Sequence, residues 1–110
     1  MRLTNLRKRA DFLAANRGRR APMPGFILLA RDRADGDEAV RLGYTVTKKV
    51  GNAVVRNRMK RRMRELARAL VPEGGRTGHD YVMIGRDGGI ERDFATLRAE
   101  LIKALAKVAR

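Results

Sequence analysis

The sequence predicts an α+β protein: an α/β sandwich in which a small mixed sheet carries helices packed on it, in the order helix, strands, helix, strand, helix. Three observations predict it. Short apolar runs of strand length stand at 26–30 and 81–84, and 40–47 alternates apolar and polar residues. Two longer stretches, 53–70 and 94–108, repeat their apolar residues with the helical period. Gly- and Pro-bearing polar segments separate these blocks, so the elements fold against one another in layers. At 110 residues the chain suits a single domain spanning 1–110.

The elements follow in order. Residues 5–16 suit a short helix that turns Leu6, Ala10, Leu13 and Phe12 inward. Gly18 to Gly25 holds two prolines and reads as turn or irregular edge structure. Phe26 to Ala30 is a strand, and the polar, Gly36-containing segment from Arg31 to Glu38 is a loop. Val40 to Thr47 alternates, with Val40, Leu42, Tyr44 and Val46 on one face, and is expected to pair with the preceding strand. Asn52 is placed to cap a helix running to about Val71 and stopping at Pro72 and Gly74-Gly75. Tyr81 to Ile84 is a further strand. Asp93 caps a last helix whose inward positions are Phe94, Leu97, Leu101, Ile102, Leu105 and Val108.

Charge is the strongest compositional signal. Lys and Arg number 26 against 12 acidic residues, a formal charge of +14. Self-repulsion of that size opposes a compact fold and suggests a polyanionic partner. The charge is also concentrated. Residues 1–20 carry seven cations against Asp11, and residues 48–68 carry nine against Glu65, which leaves the rest of the chain neutral. With 44% hydrophobic residues the chain is too apolar for a disordered tail, and with 5% aromatic residues any base-stacking surface rests on few rings. The absence of cysteine excludes disulfides, thiolate metal sites and thiol catalysis. The N-terminus lacks the apolar run of a signal peptide and no stretch is long enough to span a bilayer, so the cytoplasm is the expected compartment.

On a wheel of roughly 100° per residue, Val55, Met59, Met63, Leu66 and Leu70 form one apolar stripe about 80° wide. Arg56, Arg58, Lys60, Arg61, Arg64 and Arg68 fill most of the remaining circumference. Solvated helices normally interleave both signs, and here Glu65 is the sole acid. Guanidinium forks match phosphate oxygens, so a nucleic-acid backbone is the natural counterpart. A membrane-surface role fits poorly, because the stripe is narrow and lacks Trp. Asn57 sits among the arginines, where its amide suits either RNA contact or the holding of a nearby loop.

The stretch Thr47-Lys48-Lys49-Val50-Gly51-Asn52-Ala53-Val54-Val55-Arg56-Asn57-Arg58-Met59-Lys60-Arg61-Arg62-Met63-Arg64-Glu65 resembles the signature of the bacterial ribonuclease P protein component: a Lys-Lys pair, then Arg-Asn-Arg-x-Lys-Arg-x-x-Arg. The resemblance extends over essentially the whole chain, with Leu6 to Phe12 similar to the family's first helix, Gly18 to Thr47 to its sheet, and Asp80 to Arg86 to its last strand. It implies a left-handed crossover through the basic helix. It also implies an accessory subunit: a large RNA is the catalyst and removes the 5′ leader of precursor tRNA, while the protein binds that RNA and the leader and favours Mg²⁺ binding, mainly by the RNA. Carried over by position, Arg56, Asn57, Arg58, Lys60, Arg61 and Arg64 face RNA, with Lys48 and Lys49 extending the surface. Phe12 matches an aromatic of the cleft for the single-stranded leader, where stacking is the expected contact; a core role for Phe12 stays equally open. The chain departs from its relatives at Asn16, where they often carry a second cleft aromatic, and at Leu29, where a tyrosine is common. Tyr44 offers a ring, for cleft or core.

No catalytic residue and no protein metal ligand is expected. His79 and Asp80 form a potential base-and-orienter pair, but no nucleophile accompanies them, and a surface turn is the better reading. Asp32, Asp35, Asp37 and Glu38 lie in one hydrophilic loop with no second acidic motif to complete a metal site. The rivals are another RNA-binding module of ribosomal type, a DNA-binding module, and a metal-dependent nuclease. The partners implied are ribonuclease P RNA and precursor tRNA, with no membrane and no obligatory protein partner. Whether Arg62, at the edge of the stripe, touches RNA is left open.

Overall fold

The computed structural model describes residues 1–109. Its elements are β1 (Leu3–Asn5), α1 (Arg9–Ala15), β2 (Arg19–Pro22), β3 (Phe26–Asp32), β4 (Val40–Thr45), α2 (Ala53–Gly74), β5 (His79–Gly85), a 3₁₀ turn (Asp87–Gly89) and α3 (Phe94–Val108). The five strands form one mixed sheet in the order β1-β4-β5-β3-β2. The sheet has helices on both faces, which is the expected sandwich.

Strand alternation assigns the faces. Phe26, Leu28 and Ala30 of β3, Val40 and Leu42 of β4, and Tyr81 and Met83 of β5 join one large core with α2 and α3. The intervening residues Leu29 and Val82 join Leu6, Ala15 and Phe12 in a smaller cluster under α1. In α2 the apolar stripe lies against the sheet as expected: Met59, Met63, Leu66, Ala67, Leu70 and Val71 are buried. Asn52 Oδ1 accepts from Val55 N at 3.0 Å, and Asp93 accepts from Thr96 N at 3.3 Å, so both expected caps form.

Several boundaries differ from expectation. The first helix starts only at Arg9, because residues 3–5 are drawn into the sheet beside β4 and Leu6 N continues that pairing to Leu42 O at 2.8 Å. Ala10 and Leu13 consequently face solvent, while Phe12 and Ala15 turn to the sheet. Residues 19–22 form an edge strand in place of irregular structure, with Pro22 tolerated because edge positions need fewer donors. α2 runs through Pro72 to Gly74. Proline removes one bond on the exposed side, while Leu70 and Val71 remain buried and Gly75 N still reaches Val71 O at 2.7 Å. In α3, Phe94 and Ile102 are exposed, and Ala104 and Glu100 fill the inner face between the larger residues.

The expected pairing of β4 with β3 does not form. β5 lies between them, parallel to β4 and antiparallel to β3. The cause lies in the loop 33–39, which arches across the end of β5. Arg33 holds it there, donating to Asp80 of β5 at 2.9 Å and to the carbonyls of Asp37 and Ala39 at 3.0 and 2.6 Å. β4 therefore enters on the far side of β5, and α2 becomes the crossover between two parallel neighbours.

Candidate nucleic-acid interface

The packing of α2 dictates what its other sides present. With Met59, Met63, Leu66 and Leu70 held on the sheet, Arg58 and Arg61 stand exposed, and Arg56, Lys60 and Arg64 flank them half-buried. Lys48 and Lys49 are exposed on the turn leading into the helix. The ion pairs among the described residues link Arg2, Arg31, Arg33, Arg41 and Arg92 to Asp11, Asp35, Asp37, Asp80 and Glu100. None of those pairs includes a cation of the 48–64 segment. Same-sign neighbours at i,i+4 along this helix cost roughly a few tenths of a kcal/mol each, with no internal offset.

Individual positions differ in what they touch. Arg56 Nη1 donates to Gly51 O at 3.3 Å, which braces the first turn. Arg64 lies over the ring of Tyr44, 5.6 Å from its centroid. Asn57 is exposed, and among the described residues its side chain holds no loop. Arg62 is engaged internally. It donates to Gly89 O at 3.3 Å and to Arg92 O, and sits over Phe94 at 6.0 Å, tying α2 to the segment that enters α3.

On the opposite face of the sheet a groove of about 460 Å³ opens beside α1. Phe12, Leu13 and Asn16 form its helical wall, Leu29, Val82 and Ile84 its floor, and Arg7 and Arg9 add charge. Phe12 has a packed side and a side that faces the groove. Its ring packs over Gly43, where an added Cβ would stand 2.6 Å from Cε1, and it also lines the groove. Asn16 and Leu29 line the groove too, and neither brings a ring to it. Tyr44 reaches the groove and also carries Arg64 over its ring, which puts it where the groove meets the basic helix. Its hydroxyl is buried without a hydrogen-bond partner among the described residues. Burial pushes that hydroxyl up to about 12, against the opposing pull of Arg64 and Arg68.

One polar centre is not foreseen by the sequence. Asp80 is a fully buried carboxylate and not part of a surface turn. It accepts from Arg33 at 2.9 Å and from Arg41 Nε and Nη2 at 2.7 Å each, with Arg31 at 3.7 Å. The bond to Asp80 raises Arg41 above its ordinary value, outweighing desolvation. A signal for it exists: an acid at the head of an apolar strand, flanked by neighbouring strands that each carry an arginine. His79 takes no part, since its Nδ1 lies 2.9 Å from Thr77 O. Asp35 and Asp37 are likewise engaged within their own loop. Backbone N–H groups of Asp37 and Ala39, helped by Arg33 and Arg2, hold both carboxyls below the usual range.

Comparison with known proteins agrees with the fold and the motif. A family model described as Ribonuclease P matches residues 1–109. The ribonuclease P protein component of Erythrobacter litoralis is 61% identical over 102 residues, covering 93% of this chain and 83% of that protein. That of Gluconacetobacter diazotrophicus is 53% identical, covering 96% and 91%. Among solved structures, the Staphylococcus aureus RNase P protein superposes with a TM-score of 0.77 at 29% identity, over 96% of this chain and 97% of the other. The Thermotoga maritima RNase P protein gives 0.76 at 34% identity, over 90% and 92%. A family model spanning almost every residue, relatives above half identity and a shared fold together establish that the chain belongs to the ribonuclease P protein family.

Proposed function

We propose that the chain is the protein subunit of ribonuclease P, binding the catalytic RNA through α2 and the 5′ leader of precursor tRNA through the groove beside α1. The carrying observation is that Arg56, Asn57, Arg58, Lys60, Arg61 and Arg64, with Lys48 and Lys49, occupy the part of the surface that α2's packing leaves outward, with no acidic partner among the described residues. Phosphate oxygens supply the missing charge and accept the forked bonds of the arginines.

The groove on the other face suits one strand of RNA. Its floor is apolar, Phe12 offers a ring for a base, and Arg7 and Arg9 stand ready for phosphates. With Asn16 and Leu29 in place of rings, leader binding here leans more on charge than on stacking. The polypeptide supplies no chemistry of its own in this reading. Mg²⁺ is held mainly by the RNA in the same reading; Asp11 and Asp80 are matched by arginines, and Asp35 and Asp37 by their own loop. The protein's part is to raise the local concentration of cations and to orient two RNAs.

Phe12→Ala tests the groove. Weaker binding of leader-bearing precursor, with mature tRNA unaffected, is expected in an assembled RNA–protein complex. Equal loss for both would make Phe12 a purely structural residue.

A further inference from the structure

The helix that walls the groove is poorly secured by its own sequence. α1 spans only Arg9–Ala15, its N-cap residue Lys8 makes no side-chain cap bond, and Ala15 is its one buried residue. A helix of that length does not persist alone in water. Its place is therefore set by what ties it to the sheet, and besides buried Ala15 two adjacent residues do the tying. The Asp11 carboxylate meets Arg41 Nη1 at 3.2 Å and Arg31 Nη1 at 3.8 Å. The Phe12 ring rests on Gly43. Arg41 and Gly43 stand two residues apart on β4 and share a face, so Asp11-Phe12 docks at two points on one strand.

Arg41 is itself fixed. Its Nε and Nη2 fork onto Asp80 at 2.7 Å each, directly across from it in the β4–β5 register. Asp80 is held from its other neighbour by the register with Arg31 and from the 33–39 loop by Arg33. A guanidinium forked on a buried carboxylate has no freedom left in its third nitrogen, and that nitrogen is the one aimed at Asp11. Strand register thus fixes Arg41, Arg41 fixes Asp11, and Asp11 fixes the residue beside it.

We propose that the Asp80–Arg41–Asp11 chain is a positioning device that sets the height and rotation of α1, and with them the presentation of Phe12 to single-stranded RNA. The inference rests on the reading of the groove as the leader path. Asp80, Arg41 and Asp11 are positioning residues, and none of them lines the groove.

The test uses the reconstituted RNA–protein enzyme and two variants. Asp11→Asn removes the charge at a partly exposed site, and Arg41→Lys keeps the charge but loses the fork. Each is expected to raise KM for a precursor with a long leader by roughly threefold to tenfold, the coupling of residues that touch, with a smaller effect on a one-nucleotide leader. In a Phe12→Ala background the same changes should add almost nothing. Where Phe12→Ala is itself leader-sensitive, equal loss on both leader lengths, or a full effect that survives Phe12→Ala, overturns the proposal. Hydrogen exchange of the free protein gives a second readout: faster exchange in α1 of Asp11→Asn, with β5 protection retained. Unchanged exchange in α1 overturns the device whatever the kinetics show. If Phe12→Ala itself ignores leader length while α1 loosens in Asp11→Asn, the device stands and the leader reading is what falls.

Discussion

Arginines one turn apart on one helix can have unrelated duties, as Arg58 and Arg62 of α2 illustrate. Arg56 and Arg58 belong to the unpaired side, whereas Arg62 directs its donors to the carbonyls of Gly89 and Arg92. Charge reversal at Arg56 and Arg58 should reduce the slope of log affinity against log salt by roughly one for each phosphate no longer neutralised. Arg62→Ala should instead lower the melting temperature and leave that slope in place. Equilibrium binding across a salt series separates the two, and an unaltered slope in the Arg56/Arg58 variant would remove them as phosphate ligands. Tyr44 makes a different point at the same scale. A buried hydroxyl without a partner costs about 1–3 kcal/mol, so Tyr44→Phe is expected to stabilise the fold by about 1 kcal/mol. The hydroxyl titrates near 10 when unfolded and near 12 when folded. Its neutral form therefore favours the fold fully below pH 10, and that contribution is lost as pH rises toward 12. Denaturant titrations should show this alkaline loss in the parent and a shallower one in Tyr44→Phe.

Whole elements were legible wherever local pattern decides them. The stripe of α2, both helix caps, and strands β3, β4 and β5 could be read from period and capping chemistry alone. What could not be read are outcomes of competition between distant segments. β1 forms because β4 offers a free edge to residues 3–5, and that edge exists only because β5 sits on the other side of β4. α2 passes Pro72 because Leu70 and Val71, just before it, are packed in the core, a tertiary effect that propensity cannot anticipate. Pro72→Ala is accordingly expected to stabilise the protein by about 1 kcal/mol, a fraction of the roughly 3 kcal/mol that proline costs in a helix interior, because the site lies in the last turn. Thermal unfolding of the two proteins checks this; a destabilised alanine variant would mean that the end of α2 depends on proline's rigidity. Of the proposed interface, the eight cationic and amide positions were legible because the motif is contiguous. The Asp80 centre was not, since its members come from three strands and a loop whose registers emerge only on folding.

At the scale of the molecule, the cations behind the charge of +14 include two contrasting groups. The paired arginines gather around Asp80, the 33–39 loop and the start of α3, while the cations of the 48–64 segment, Arg62 apart, face outward from α2 and the turn before it. Such a distribution is consistent with an assembly subunit whose electrostatic balance is completed by another polymer. The two regions proposed to face RNA lie on different sides of one sheet and meet near Tyr44, so a single rigid body can hold catalytic RNA and leader at a fixed separation. The most direct test is reconstitution at low Mg²⁺, combining the protein with a bacterial ribonuclease P RNA and a precursor tRNA. Leader removal that requires the RNA and is accelerated by the protein is the expected result; no acceleration despite tight, salt-sensitive RNA binding, or cleavage by the protein alone, would contradict the subunit role.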